Sequence, residues 1–312
     1  MTEHALTAAQ IHHNWDKNRP AAIRIQSGDI VHFVLPITGE GQVAEDSRVE
    51  DVNWNFDTIY NLAGPVFVEG AEPGDTLEVQ ILDLKPGAWG WTTIIPELGL
   101  LPDDFPDPFL KIFDLRSRNR ATLASGVSVP IQPFLGTMGV TTDDDGELSP
   151  FPPHKGGGNM DNRHLVPGST LWLPVWCDGA LFSCGDAHAA QGDGEVCVSA
   201  IECAMDATLR LNLLKESSPT PAYETPTIVF DPGPYHGTMG IDSDLMEGAR
   251  TAVRSMIQWL ENEHGLGHED AYVLCSIAGN LHIHEVVDAG TWNVGFTLPL
   301  SVFDASGAAS LT

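Results

Sequence analysis

The chain has 312 residues and a formal net charge of −28, from 43 Asp and Glu against 15 Lys and Arg. So acidic a surface repels phosphate backbones and anionic lipid, which excludes nucleic acid and membrane surfaces as partners. A chain of this length buries a sizeable core. We read it as one domain over residues 1–312, with β subdomains at about 20–140 and 155–303.

No stretch approaches the ~18 consecutive apolar residues of a membrane-spanning helix. Met1–Asp16 is polar and lacks the basic start and apolar core of a secretory signal. The five cysteines, Cys177, Cys184, Cys197, Cys203 and Cys275, show no Cys-x-x-Cys spacing. Reduced, buried thiols in a cytoplasmic protein are expected.

With 22 Pro and 31 Gly and few helical patterns, many short strands and turns are predicted. Strands are expected at Ala22–Gln26 and Asp29–Leu35 around a Ser27-Gly28 turn, and residues 36–63 read as a loop. Another strand begins at Gly64, and Thr76–Leu84 alternates as a half-buried strand. Residues 86–110, rich in Pro, Gly and Trp, read as irregular. Further strands are expected at 111–115 and 120–123, then near 130–140 and at Thr170–Trp176. Thr141–Pro153 is an acidic surface loop. Val196–Leu213 reads as long strands.

One helix is plain. Leu245, Ala249, Ala252, Val253, Met256, Ile257 and Leu260 form a single apolar stripe, with Asp244 placed to cap its start and Gly265 its end. A second short helix is expected from His268, then strands at Ile283–Val287 and Trp292–Leu298.

The densest chemistry lies in Gly185–Glu195. If the flanks are strands, Asp186 and His188 share one face, as do Asp193 and Glu195 on the returning arm. Asp-x-His is a good chelating pair for zinc. The same Gly-Asp-Gly is also ordinary turn chemistry, and so many glycines imply a close backbone approach.

Gly64-Pro65-Val66-Phe67-Val68-Glu69-Gly70-Ala71-Glu72-Pro73-Gly74-Asp75 resembles a segment of the acetamidase/formamidase family. So do Gly158-Asn159-Met160-Asp161, then Leu173-Pro174-Val175, Gly179-Ala180-Leu181-Phe182, Gly185-Asp186-Ala187-His188 and Gly192-Asp193-Gly194-Glu195. Asp270–Ser276 is similar to the C-terminal motif of that family. The matches run in order over nearly the whole chain. Departures stand at Pro36-Ile37-Thr38-Gly39-Glu40 and Asn280-Leu281-His282. The resemblance implies a mostly β fold with a small α/β portion: multi-stranded, sandwich-like sheets plus one long amphipathic helix near the C-terminus. It also implies hydrolysis of a short aliphatic amide, such as formamide or acetamide, to carboxylate and ammonia.

The chemistry can be argued beside that resemblance. Amide hydrolysis needs an activated nucleophile, a carbonyl polariser and an acid for the departing nitrogen. No Gly-x-Ser-x-Gly elbow is present, and none of Lys17, Lys85, Lys111, Lys155 and Lys215 sits in a catalytic pattern. Water activated by a divalent metal, zinc before calcium, fits best. Its expected ligands are Asp161, Asp186 and His188, with Glu195 as base or fourth ligand. Asn159 either orients the substrate amide or occupies a left-handed backbone position, and Asp193 is a site residue or a turn residue. His282 and His284 form a same-face candidate pair; His12, His13, His32, His154 and His236 carry no spacing signal. A homodimer is expected. Two rival readings remain: a non-catalytic β protein stabilised by calcium and binding a sugar or other small molecule, and a hydrolase of a larger amide or ureido substrate.

Overall fold

The computed structural model describes residues 1–39, 41–117, 119–163, 165–216, 221–224, 235–285 and 292–303. Among the described residues strands dominate, in several sheets, with two helices, as expected. The chain divides into two compact units. The first comprises Met1–Ala88, Gln132–His188 and Glu202–Ile228; the second comprises Trp89–Ile131, Ala189–Ile201 and Val229–Thr312.

In the first unit, Phe134–Val140 pairs antiparallel with Gly157–Asn159 on one side and Phe182–His188 on the other. Phe182–His188 also pairs with Leu62–Val68, and His188 faces Glu202 at the start of Glu202–Leu214. That long strand pairs antiparallel with Asp29–Leu35, which in turn runs parallel to Glu3–Leu6. Alternation builds its core. Cys203, Met205, Ala207, Leu209 and Leu211 are all buried, while Asp206 on the opposite face is exposed. Burying each such aliphatic side chain is worth roughly 1.5–3 kcal/mol. Phe33 and Phe182 meet edge to face across the core, with centroids 6.2 Å apart. Trp15, in the polar N-terminal segment, is wholly buried.

The second unit holds the hairpin Arg120–Ala124/Val127–Pro130, turning at Gly126, whose φ is 76°. A sheet of Tyr235–Asp242, Trp292–Pro299 and Asn280–Glu285 lies among the described residues. Helix α1, Leu245–His264, packs Ala249, Ala252, Val253, Met256, Ile257 and Leu260 inward, while Leu245, expected in the same stripe, is exposed. The Asp244 carboxylate accepts from the Met246 and Glu247 amides, and Gly265, at φ 62°, closes the helix as a left-handed cap. Helix α2 spans His268–Ala278.

Three expectations are corrected. Residues 86–110 are not irregular throughout, because the strand that starts at Thr76 runs to Ile94. Trp89–Ile94 pairs rung by rung with Phe109–Asp114, and the aromatic and β-branched run Trp89–Ile94 suits a strand despite the Pro and Gly before it. Second, Val127–Pro130 is a further strand. Third, the returning arm begins at Glu202 rather than Val196. The preceding segment spends its backbone groups on helix α2 and the strand Asn280–Glu285: Gly192 N donates to Ser276 O, Leu281 N to Asp193 O, and the Tyr272 hydroxyl to Val196 O. Asp193 and Glu195 therefore do not lie on a strand. The strand expected at Ile283–Val287 is Asn280–Glu285, with Val286 and Val287 outside the described residues. The side chain of His284 is likewise not described, while His282 Nε2 lies 3.1 Å from Thr297 Oγ1.

Candidate metal centre

Asp186 and His188 sit on one strand two residues apart and converge, as the alternation demands. His188 Nε2 is 3.5 Å from Asp186 Oδ1 and 3.3 Å from Glu202 Oε2; its Nδ1 is 3.8 Å from Asp161 Oδ1. The ring is 1% exposed. Phe134, its register partner across the ladder, packs edge-on against it at 5.0 Å. At these distances and angles neither ring nitrogen completes a hydrogen bond.

Each carboxylate is aimed by its backbone. Asp161 has φ 44°, and its N–H, like that of Met160, donates to Gly136 O. Asp186 has φ 54°, a left-handed kink inside a strand. Non-glycine residues in that region are uncommon and cluster at functional sites, where surrounding structure holds the strain. Thr38 Oγ1 donates to Asp186 Oδ1 over 2.9 Å. Gly136 forms the floor: a Cβ there would lie 2.6 Å from Asp161 Oδ1, 2.7 Å from Asp186 Oδ2 and 2.8 Å from His188 Cε1. Only glycine leaves that space open.

The electrostatics suit a cation. Burial, then the charge of Asp186, pushes the Asp161 carboxyl up to about 7. Burial alone would favour neutral His188, yet the charges of Glu202 and Asp186 outweigh it and hold the imidazole protonated well above its usual range. Three carboxylates around one buried ring leave an excess of negative charge in a low-dielectric setting, which a divalent ion would neutralise. Ligand atoms of Asp161, Asp186 and His188 all lie within 4.8 Å of one another. Two carboxylates and an imidazole suit zinc; calcium prefers oxygen alone. The residues present therefore fit a divalent metal.

Of the remaining expected residues, Asn159 stands in the first unit and Asp193 and Glu195 in the second. Asn159 lies on a strand, outside the left-handed region. Its Nδ2 donates to Phe151 O at 2.9 Å and Tyr60 Oη at 3.3 Å, and its Oδ1 accepts from Thr137 Oγ1. That ties the strand carrying Asp161's neighbour to two loops. Asp193 and Glu195 belong to Ala189–Ile201 in the second unit, where Glu195 has φ 38°. The glycines around them answer to packing: a Cβ on Gly192 would overlap the Gly279 carbonyl. Glu202 was not anticipated. Its signal was available, since it is an acid at the non-core parity of a run whose other parity is wholly apolar, and yet it is 3% exposed.

A profile of the acetamidase/formamidase family matches residues 2–148 and 147–305. The chain belongs to the acetamidase/formamidase family. Amide hydrolysis is the activity that membership carries. The chain is 29% identical to an acetamidase of Mycolicibacterium smegmatis, over 71% of this chain and 70% of that one. It is 25% identical to a formamidase of Methylophilus methylotrophus, over 95% and 90%. A solved γ-lactamase from Delftia acidovorans superposes with TM-score 0.89 at 25% identity, over 95% and 90%. No helix among the described residues of this acetamidase/formamidase family member is long and apolar enough to cross a membrane.

Proposed function

We propose that this protein hydrolyses primary aliphatic amides, formamide and acetamide among them, with a divalent cation, zinc, held by Asp161, Asp186 and His188. The single observation that carries the reading is the buried imidazole of His188 ringed by three carboxylates at 3.3–3.8 Å. A bound divalent ion supplies a water whose pKa falls to about 7. The chain's own residues do the rest. Thr38 fixes one oxygen of Asp186, so the other is left to ligate. Phe134 walls His188 and keeps bulk water from the ring. Glu202, buried and facing His188, is proposed as a further ligand or charge partner. Glu195 is proposed as the base that takes the proton of the attacking water and returns it to the departing nitrogen. Water adds at the carbonyl carbon, the C–N bond breaks, and carboxylate and ammonium leave. Asn159 is proposed to position its strand rather than the substrate, and Asp193 to serve its turn.

The calcium-binding alternative is disfavoured because an imidazole stands at the centre of the cluster. The larger-amide alternative gains from the likeness to a lactamase, since a lactam is a cyclic amide. A cytoplasmic setting is proposed because Cys177, Cys184, Cys197, Cys203 and Cys275 are all free thiols. A homodimer is proposed as the assembly, to be read by light scattering.

The test measures ammonia release from formamide and acetamide before and after chelation, with metal content determined in parallel. We expect turnover to vanish on chelation and return with zinc. His188→Ala should lose metal and turnover together, while His13→Ala, whose Nδ1 lies 2.7 Å from Tyr60 O, should lose neither. Equal metal occupancy in wild type and His188→Ala would reject the ligand set.

A further inference from the structure

The ladder between Leu62–Val68 and Phe182–His188 stops one rung short of the metal centre. Its last pair is Gly185 with Leu62, so Asn61 stands where a partner of Asp186 would be. The ladder does not continue there, as Asp186 turns aside at φ 54°. Instead the Asn61 carbonyl fills the place of a side chain on Gly185: a Cβ there would lie 2.2 Å from Asn61 O. Only glycine admits that approach, in the residue immediately before a proposed ligand.

The Asn61 side chain turns to another segment. It is 3% exposed, and its Nδ2 donates to Ile37 O over 2.9 Å. That carbonyl lies in the same rigid peptide plane as the N–H of Thr38. Thr38 is buried too, and donates from Oγ1 to Asp186 Oδ1 at 2.9 Å. A second bond braces the turn, from Gly39 N to Ile59 O at 2.8 Å. Neither run belongs to a strand: residues 36–39 follow the strand that ends at Leu35, and residues 59–61 precede the one that starts at Leu62. The sheet ladder therefore does not set where Thr38 stands; the amides of Asn61 and Gly39 do.

We infer that Asn61 is a positioning residue for Asp186. Its side-chain amide holds the Ile37–Thr38 peptide, which sets the Thr38 hydroxyl against one oxygen of Asp186. Its backbone carbonyl, packed on Gly185, sets the chain from which Asp186 departs. One residue thus fixes the ligand from both ends. Asn suits the place, because an amide donates to a carbonyl without adding charge. An Asp at 61 would bring a further carboxylate towards three that already crowd His188. The inference rests on the reading of Asp161, Asp186 and His188 as a divalent-cation site, and assigns Asn61 no contact with cation or substrate.

The full chain is stripped of metal, and zinc affinity is read by equilibrium dialysis for wild type, Asn61→Leu, Thr38→Val and the double variant. Asn61→Leu keeps the shape of the side chain and removes its donor. Asn61→Ser is made beside it and takes its place where circular dichroism shows the apolar variant unfolded. Loss of the Asn61 amide should weaken zinc about tenfold, the lower end for a residue outside the ligand set. Both substitutions act on the same oxygen of Asp186, so the double variant should also fall about tenfold, where two independent losses would give about 100-fold. Asn212→Leu, which removes a bond of the same kind from Glu78, should hold zinc as wild type does. Cobalt bound in place of zinc reports ligand geometry, and its absorption should shift in the Asn61 variant but not in Asn212→Leu. Zinc held equally by wild type and a folded Asn61 variant, an unshifted cobalt spectrum in that variant, or a 100-fold loss in the double variant would overturn the inference and leave the metal centre standing. A wild type that binds no zinc would overturn both.

Discussion

Gly136→Ala tests the metal centre with the smallest perturbation the chain allows. The added carbon would stand 2.6–2.8 Å from atoms of Asp161, Asp186 and His188, where ordinary contact begins near 3.4 Å. Relief requires the three side chains to move apart by roughly 0.6–0.8 Å, a misplacement that overpacking data put at about 1–3 kcal/mol. At 1.4 kcal/mol per tenfold, the metal dissociation constant should rise about 10- to 100-fold. Displacing a reacting group on this scale costs about 10²-fold in rate. The assay is equilibrium dialysis against buffered zinc with elemental analysis, alongside ammonia release at saturating metal. Gly267→Ala, where an added Cβ meets nothing within 4 Å, is the control. Wild-type metal affinity and wild-type turnover in Gly136→Ala would refute the convergence of these three residues on one ion.

Glu195→Gln and Glu202→Gln separate base from ligand. Glu195→Gln should keep its metal and lose about 10²- to 10⁴-fold in kcat, the usual worth of a general base, while Glu202→Gln should lose metal affinity as well. Full turnover in Glu195→Gln would remove it from the mechanism. Thr38→Val should weaken metal binding about 10-fold, as loss of a ligand's supporting hydrogen bond does, and Thr38→Ser should restore it; equal affinity in all three proteins by dialysis would show that Asp186 needs no support. Burial, and then Arg19, lowers the His12 pKa from 6.5 to about 4. The unfolded chain therefore binds the extra proton first, so His12 contributes stability that is complete above pH 6.5 and lost as pH falls towards 4. The difference corresponds to about 3 kcal/mol. Denaturant titrations of wild type and His12→Gln across that window should differ in slope against pH, and parallel curves would exclude the effect.

How far sequence alone could reach depended on how local each signal was. The bounds of helix α1 were legible to the residue, because its Asp244 cap and its Gly265 stop are written within one run, and its stripe was legible except at Leu245, which is exposed. Asp186 and His188 were placed together by strand parity, which needs no knowledge of the rest of the fold. Asp161 joined them through a resemblance, since nothing local links residue 161 to residue 186. Glu202 was hidden because the apolar character of Val196 and Cys197 mimics the start of a strand. Their burial comes instead from the contacts that pin Ala189–Ile201, which pattern cannot foresee. The continuation of the strand past Pro86 was obscured in the same way: Gly87 admits Ala204, whose Cβ would stand 3.3 Å from an added one, and only the fold reveals why glycine is there.

His188 and Glu202 occupy one rung of the ladder, so the chain departs at 188 and comes back at 202 to the place it left. Whatever lies between is, to that ladder, an insert. Substitutions among the residues from 189 to 201 other than Glu195 leave the rung closed, so the proposed ion-holding face and the insert can change separately. Within such a lineage, appetite for one amide over another would change through the insert, leaving the proposed grip on a cation undisturbed.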